Sequence, residues 1–516
     1  MVVRSELVKE TCGCRVSRPN CGETPLPRSE SVSFWSTDVR VCRIGLVLRR
    51  FATDVDVRHT TQSKIVRKTR SLSASEHVAD ARGANVHVSI SSEERQMKLA
   101  VQDIERIWVK VPYREVPGRN MIRELPHWTI FELCRVTLAN GVTGVGETMC
   151  FYTWGAVTDE DVNRAMGKVA TEIMWDDSLG AGLQMGLFDA VARSLDVPIH
   201  HLLGEQVREQ AFVSWWSIDM SPQDWLAECK LAIEAGYTSY KFKARPWFDL
   251  DEQLRTVTAE VPDHFEIDLD FNTMLNSSAH AVRVLREMEK YPHVKIYESP
   301  IPQGDVAGNK YLRGQTCIPI AMHVGNPPLM TALQEDVCDG FVVCGGATQV
   351  IRESHIIAQA NKVFWLQLVG TGITAAWALH FAAASSHARW PAVNCHNLYE
   401  HQLLCQPLAV QGGLAEIPTG PGLGLDINWD AVERFRIEPI AKPYPHPDLL
   451  IKLSWPSGEV DYYAHGLQYW HDFINGRRTV FSPGVQTEVV DNDGSQEWQQ
   501  LYQTASRKPS YVMRPN

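Results

Sequence analysis

Short β-type segments alternate with amphipathic helical segments between residues 209 and 414, and four successive β segments each end on an ionisable residue. These residues are Lys243, Asp270, Glu298 and His323, so the intervals between them are 27, 28 and 25 residues. One strand and its crossover helix occupy about this length. Strands that alternate with helices at this spacing indicate βαβ units and a parallel sheet. Because seven or eight such units fit the segment, we expect an α/β fold in which the sheet closes into a barrel.

The ionisable residues lie on one rim of this predicted barrel, at the face where barrel enzymes build their active sites. Side chains alternate along a strand, so Lys241 and Lys243 point to the same side. Asp270, Glu298 and His323 come from neighbouring strand ends and can converge on one divalent ion. Carboxylates suit Mg²⁺, whereas an imidazole shifts the preference toward Mn²⁺, Fe²⁺ or Zn²⁺. The alternative is a buried ionic layer in which the carboxylates pair with the two lysines.

An α+β domain is predicted over residues 97–208. Trp128–Leu138 has the pattern of a strand, and Asn140-Gly141 is a strong hairpin signal before the next strand at Val142–Glu147. Two helices follow, and the second carries an apolar stripe at i+4 spacing formed by Leu183, Leu187, Val191 and Leu195.

Composition excludes several classes of protein. The chain has 44% hydrophobic and 22% charged residues, as expected for a folded water-soluble protein. Its net charge of −11 argues against nucleic-acid binding. The longest apolar stretch, Gly372–Ala384, is too short for a membrane helix and contains His380, so we expect no membrane span. The 12 cysteines include no C-x-x-C pair, and a chain of this size needs no disulfides, which favours a reducing, cytoplasmic location.

Short motifs on the predicted rim resemble those of a known family. Lys241-Phe242-Lys243, Asp270-Phe271-Asn272 and Glu298-Ser299-Pro300 are similar to the K-x-K, D-x-N and E-x-P motifs of the mandelate racemase/muconate lactonising family of the enolase superfamily. The glycine-rich segment Gly420–Gly424 and the pair Gly345-Gly346 also match family positions. The resemblance covers roughly residues 101–440, and the order and spacing of the motifs make it specific.

This resemblance implies a modified TIM (β/α)7β barrel with an α+β N-terminal capping domain. It also implies a shared reaction step, in which a proton α to a carboxylate is removed and an enediolate is held on a divalent cation, Mg²⁺ or, because of His323, Mn²⁺ or another ion. Asp270 and Glu298 would be metal ligands, with His323 at the third ligand position.

The catalytic residues implied by the resemblance are the two lysines. Lys243 would be the base, because a lysine beside a second lysine has a lowered pKa. Lys241 would hold the substrate carboxylate and tune its neighbour. For substrate binding, Asn272 would donate a hydrogen bond to the substrate. Glu400 would match the family's carboxylic acid that hydrogen-bonds the enediolate, with a surface salt bridge as the alternative reading.

Three departures from the family pattern reduce the number of reactions that the site can be expected to catalyse. The third metal ligand is usually Asp or Glu, where this chain has His323. Gln367–Thr371 lacks the histidine of the racemase subgroup, and Phe341–Cys344 lacks the lysine of the lactonising subgroup. Racemisation needs proton delivery from both faces, so a simple racemase is disfavoured, whereas dehydration or cycloisomerisation can proceed with one lysine.

We therefore expect a metal-dependent lyase or isomerase of a small carboxylic acid, with acid-sugar dehydration as the leading hypothesis. The alternatives are a cycloisomerase or epimerase, and a non-catalytic barrel whose active site has degraded. We expect a homo-oligomer. Residues 1–96 have no regular period and predict a disordered or non-native N-terminal extension, whereas residues 415–440 are expected to complete the capping domain. The aromatic residues of 441–516 predict a C-terminal extension that covers the barrel or joins a subunit interface.

Overall fold

The computed structural model describes residues 75–79, 85–89, 98–152 and 155–511. Strands β1 (Ser75–Ala79) and β2 (Asn85–Ser89) pair antiparallel. The rest of the predicted N-terminal extension, 1–96, lies outside the described residues. No helix in the described ranges is long and apolar enough to cross a membrane.

The first domain is a three-stranded antiparallel sheet with helices packed against it. Its strands, in spatial order, are β3 (Val101–Lys110), β4 (Ile130–Leu138) and β5 (Thr143–Met149). Its helices are α1 (Glu115–Met121), α2 (Asp159–Ala165), α3 (Ala170–Ile173), α4 (Ala181–Ser194) and α5 (His200–Leu203). The predicted hairpin between β4 and β5 is confirmed, with Gly141 in the left-handed region at φ +82°.

Two glycines let helix α4 pack directly on strand β5. A Cβ atom on Gly146 would lie 2.1 Å from the carbonyl oxygen of Gly182. A Cβ atom on Gly144 would lie 2.2 Å from the backbone nitrogen of Ala190. Since real Cβ atoms do not approach this closely, only glycine permits the observed contact between the backbones.

The second domain is built around a curled sheet of parallel strands. The strands are β6 (Gln210–Ser217), β7 (Ser239–Lys243), β8 (Glu266–Asp270), β9 (Val294–Glu298), β10 (Ile320–His323), β11 (Gly340–Val343), β12 (Val363–Leu366) and β13 (Ala392–Val393). The intervening helices are α6 (Pro222–Glu234), α7 (Leu250–Thr258), α8 (Ser278–Met288), α9 (Val306–Arg313), α10 (Leu329–Glu335), α11 (Ala347–Gln359) and α12 (Gly372–Ala383).

Strands β6 to β12 are neighbours in sequence order, and β13 returns to pair with β6 in parallel. A parallel bridge between Gln367 and Val393 connects the segment after β12 to β13. Seven strand–helix units and an eighth strand therefore form the predicted α/β fold. The hairpin strands β14 (Val410–Gln411) and β15 (Leu414–Glu416) extend the sheet beyond β6.

Capping residues fix where the barrel helices begin. The Ser221 side chain accepts a hydrogen bond from the backbone N–H of Asp224 at the start of α6. Asp249, Ser277 and Asp305 cap α7, α8 and α9 in the same way. These caps fix the residues at which four of the barrel helices begin after the strands that precede them.

The chain then returns to the first domain. Helix α13 (Trp429–Phe435) contacts β3, and the backbone N–H of Ile437 donates to the carbonyl oxygen of Trp108 at 2.9 Å. Residues 450–511, hereafter the C-terminal segment, contain a three-stranded antiparallel sheet and two helices. These elements are β16 (Leu450–Ser454), β17 (Val460–Tyr463), α14 (Gly466–Ile474), β18 (Gln486–Val490) and α15 (Gln496–Ala505).

The C-terminal segment packs on residues that follow barrel strands β7 and β8. Trp247, Phe248 and Met274 form one buried apolar cluster with side chains of this segment, including Tyr469, Trp470 and Phe473. The segment therefore covers part of the barrel, and its role in a subunit interface stays a prediction.

Candidate active site

Three of the predicted site residues, Lys243, Asp270 and Glu298, form a row across three parallel strands. Lys243 on β7 is in register with Asp270 on β8, which is in register with Glu298 on β9. Lys241 is likewise paired with Asp268 one layer below. Side chains in register on adjacent strands point to the same side of the sheet. The expected convergence on one rim is therefore what the strand pairing produces.

Lys241 links the two buried carboxylates. Its ammonium nitrogen lies 3.4 Å from Asp270 Oδ2, contacts Glu298 Oε2 and donates to Gln367 Oε1 at 2.6 Å. Burial alone would lower the pKa of Lys241, but the negative charges of Glu298 and Asp270 outweigh burial and raise it. Lys241 is therefore the more firmly protonated lysine of the pair.

The pKa of Lys243 is shifted in the opposite direction, below its ordinary value. Its ammonium group contacts Asp270 Oδ2 and donates to Asn272 Oδ1 at 2.9 Å. Burial lowers the pKa of Lys243, Asp270 opposes this effect, and the positive charges of Lys241 and Arg245 lower the pKa further. The net lowering suits a group that must lose its proton near neutral pH.

His323 lies beside the row, on the strand next to Glu298. Its Nε2 atom is 2.9 Å from Glu298 Oε1. Burial alone would lower the pKa of His323, but hydrogen bonds with Cys344 and Glu298 outweigh it and raise the pKa to about 9. The imidazole is thus held against the second carboxylate of the row.

Asp270, Glu298 and His323 present donor atoms of the kinds that divalent cations accept. Asp270 and Glu298 are buried carboxylates at one register level with an imidazole in contact, which is hard-donor chemistry with one nitrogen. Within the described ranges, no group of three or more His, Cys, Asp or Glu side chains has the spacing of a preformed metal site. The carboxylates pair with the lysines instead, as in the ionic layer that the sequence left open. The donor chemistry fits, and the assignment of Asp270, Glu298 and His323 as ligands stays a prediction.

Glu400 is placed differently from the other predicted residues. It is exposed, and its backbone N–H donates to the carbonyl oxygen of Pro112 at 3.0 Å. Among the described residues, its side chain makes no hydrogen bond or ion pair with the lysines or the row carboxylates. Its substrate-binding role stays a prediction.

Two polar residues of the site were missed. Arg245 is 3% exposed and donates to Asn272 Oδ1 at 2.7 Å, next to Lys243. Because Arg245 lies two residues beyond the end of β7, strand alternation does not predict the direction of its side chain. Gln367 lies just after β12 and accepts a hydrogen bond from Lys241, a contact that the local sequence does not indicate.

Aromatic side chains surround the row. Trp216 stacks on Trp128 at 5.7 Å between ring centroids, and Tyr152 meets Trp128 edge to face at 4.5 Å. The ammonium nitrogen of Lys243 lies 5.9 Å from the Trp216 ring centroid. Trp128 and Tyr152 belong to the first domain and Trp216 to strand β6, so both domains contribute to the wall beside Lys243.

A separate cavity lies at the opposite ends of the strands from the row. A cavity of about 400 Å³ is lined by residues that precede strands β10 and β11, including Cys317 and Asp339, at the amino ends of the strands. Active sites of parallel barrels lie at the carboxyl ends. The chemistry of the row therefore takes precedence over the size of this cavity.

Comparison with known proteins gives consistent matches. Residues 224–431 match the family model described as enolase C-terminal domain-like. The chain is 24% identical to D-gluconate dehydratase of Thermoproteus tenax over 308 residues, which is 53% of this chain and 60% of that protein. It is 24% identical to muconate cycloisomerase 1-2 of Acinetobacter lwoffii over 371 residues, 65% of this chain and 95% of that protein.

The fold also matches solved structures. The crystal structure of muconate cycloisomerase from Pseudomonas fluorescens aligns with a TM-score of 0.55 and 20% identity, covering 66% of this chain and 99% of that one. At this identity the likeness shows the fold, and it agrees with the barrel and the preceding α+β domain described above.

Proposed function

We propose that this protein, which belongs to the mandelate racemase/muconate lactonising family of the enolase superfamily, removes the α-proton of a small carboxylic acid. It is an enzyme of this superfamily, whose named relatives include dehydratases, cycloisomerases and racemases. Its reaction is that of a divalent-metal-dependent lyase or isomerase, and dehydration of an acid sugar is the leading candidate.

One observation carries this proposal: Lys243, a partly buried lysine with a lowered pKa, lies in register with the two buried carboxylates Asp270 and Glu298. Lys243 takes the α-proton onto its amine. Lys241, which stays protonated, presents its ammonium group to the oxygens of the substrate carboxylate, where negative charge develops as the enediolate forms. Asn272, already bonded to Lys243, orients that amine and offers its amide to the substrate.

Asp270, Glu298 and His323 would hold the divalent cation, Mg²⁺ or Mn²⁺. When bound, such an ion supplies positive charge that stabilises the developing negative charge of the substrate carboxylate.

The identity of Gln367 favours a reaction with one base. It lies across the site from Lys243, bonded to Lys241, and an amide side chain cannot accept a proton in catalysis. A single lysine can act first as the base and then as the acid that protonates a leaving hydroxyl group. This favours dehydration over racemisation, with cycloisomerisation as the second candidate because muconate cycloisomerases are among the relatives.

The test is solvent deuterium exchange. The full chain is supplied with Mg²⁺ or Mn²⁺ in D₂O with a library of sugar acids and other small carboxylic acids, and the α-hydrogen is followed by mass spectrometry. We expect exchange that Lys243→Ala abolishes. Lys230→Ala is the matched control, because Lys230 is exposed and pairs with Glu260.

Absence of exchange with every acid, together with absence of bound metal by elemental analysis, would instead favour a non-catalytic barrel. The cytoplasmic location and homo-oligomeric state expected from the sequence remain predictions.

A further inference from the structure

Arg245 is a third cation at the site, in addition to Lys241 and Lys243. It follows Lys243 by two residues, and its side chain is buried, with 3% exposure. Its Nη1 donates to Asn272 Oδ1 at 2.7 Å, and Lys243 Nζ donates to the same oxygen at 2.9 Å. One amide oxygen therefore bridges the guanidinium and the proposed catalytic amine, which holds a second cation next to Lys243.

The guanidinium has donors to spare. Arginine carries five N–H donors, and in the described part of the chain Arg245 makes one hydrogen bond, to Asn272. Its Nη2 makes no hydrogen bond in that part of the chain, whereas its Nε is buried without a hydrogen bond and forms an ion pair with Asp219 Oδ1 at 3.7 Å. The other oxygen of Asp219 already accepts from Arg123 at 2.9 Å and Trp247 at 2.8 Å. A buried guanidinium with free donors is suited to bind a carboxylate in bidentate fashion.

The C-terminal segment fixes the orientation of this guanidinium. The Arg245 guanidinium carbon lies 4.5 Å from the centroid of a Trp470 ring, in cation–π geometry. Trp470 is itself held, because its Nε1 donates to Glu124 Oε2 at 2.9 Å. The hydroxyl of Tyr469 donates to the other oxygen of Glu124 at 2.9 Å. The plane of the guanidinium is thus set by an aromatic ring anchored to the first domain.

We propose that Arg245, positioned by Trp470, binds a second carboxylate of the substrate, so that the enzyme acts on a dicarboxylic acid. Lys241 holds the carboxylate next to the α-carbon, and Arg245 holds the distal one. This inference rests on the proposed function for the identity of the site, and it narrows the substrate class from any small acid to a diacid. Trp470 is a positioning residue, and Arg245 determines specificity.

The test measures binding of matched acids to the full chain by isothermal titration calorimetry in the presence of Mg²⁺. The probes are D-glucarate against D-gluconate, and the linear diacids from malonate to adipate, each against the monoacid of equal length. We expect at least one diacid to bind about 10- to 100-fold more tightly than its monoacid, the range of a hydrogen bond between charged groups. Arg245→Gln should remove this preference, and Arg245→Lys should retain part of it.

Trp470→Leu should weaken binding of the diacid more than binding of the monoacid. Trp455→Phe is the matched control in the same segment, since Trp455 bonds to Asp461, away from the site. Circular dichroism checks folding, and if Arg245→Gln does not fold, Arg245→Lys and Trp470→Leu decide. A wild-type protein that prefers no diacid, or a preference unchanged by these variants, would overturn the assignment.

Failure of the proposed function gives a different result. If wild-type protein shows no deuterium exchange with any acid but retains a diacid preference that depends on Arg245, the carboxylate subsite stands and the catalytic proposal fails. If exchange occurs and depends on Lys243, but diacids and monoacids behave alike, the catalytic proposal stands and the subsite fails.

Discussion

Glu124 attaches the C-terminal segment to the first domain, and its replacement by glutamine should change how stability depends on pH. The carboxyl group is 2% exposed and accepts hydrogen bonds from Tyr469 and Trp470. Burial and the negative charge of Asp219 raise the pKa of Glu124 to about 7, against the opposing effect of Arg245 and Arg123. At neutral pH this carboxyl is therefore close to its midpoint.

The sign of the effect follows from proton binding. Since the pKa is higher in the folded protein than the ordinary value of 4.5, the folded state binds the proton more tightly than the unfolded state. This contribution to stability is fully present below pH 4.5 and is lost as the pH rises through about 7. The difference between the two pKa values corresponds to about 3 kcal/mol of unfolding free energy. Glutamine cannot ionise. Between pH 5 and pH 8 the unfolding free energy of Glu124→Gln should therefore fall by about 3 kcal/mol less than that of the wild type.

The assay is urea unfolding followed by circular dichroism across that pH range. Glu497→Gln is the control, because Glu497 is exposed on helix α15 of the same segment. The informative quantity is the difference in unfolding free energy between variant and wild type at each pH, since other titrating groups cancel in it. Parallel curves for wild type and Glu124→Gln would show that the buried carboxyl does not titrate in this range, and would refute the reasoning.

Two further predictions test the packing of the first domain and the candidate metal ligands. Gly146→Ala should destabilise the protein by about 1–3 kcal/mol in the same unfolding assay, because its Cβ would meet the Gly182 carbonyl oxygen; Gly118→Ala, whose Cβ has ordinary space, should not. His323→Ala should weaken Mn²⁺ binding in equilibrium dialysis by about 10-fold or more, as loss of a metal ligand or its partner does. Unchanged Mn²⁺ affinity, equal to that of the exposed control His355→Ala, would remove His323 from the ligand set.

The barrel and its row of charges could be predicted because two simple periods coincide there. The strand–helix repeat sets the spacing between strand ends, and the twofold alternation within a strand sets which side chains share a face. Lys241 and Lys243 satisfy both, and their register with Asp268 and Asp270 follows from parallel pairing. Nothing beyond local pattern and chain connectivity was needed.

Other site residues were not predictable from that pattern. Arg245 lies just beyond the end of β7, where the backbone is no longer a strand and the alternation no longer guarantees a direction. Gln367 was considered only as a position lacking histidine, although its amide oxygen accepts a hydrogen bond from Lys241. In both cases the role comes from a contact with another strand, which the local sequence does not encode.

The packing partner of the C-terminal segment could not be predicted from its sequence either. Its aromatic residues predicted that it packs against something, but the partner is set by tertiary contacts with Trp247 and Met274, which follow different barrel strands. Its antiparallel sheet pairs β16 with both β17 and β18, and 22 residues separate the end of β17 from the start of β18. Non-local pairing of this kind leaves no period in the sequence.

The charges of the site act as one network, and this links the base to the carboxylates. Asp270 is the group that most strongly opposes the lowering of the Lys243 pKa, while Lys243 and Lys241 hold the pKa of Asp270 well below its usual range against the effect of burial. Any cation that takes up the charge of Asp270 must compete with both ammonium groups. A cation bound at Asp270 would weaken the attraction that keeps Lys243 protonated, while burial and the neighbouring cations would continue to lower the pKa of Lys243. Cation binding at the carboxylates and deprotonation of the proposed base would then be coupled through the same contacts, and by reciprocity a neutral Lys243 would favour cation binding at Asp270.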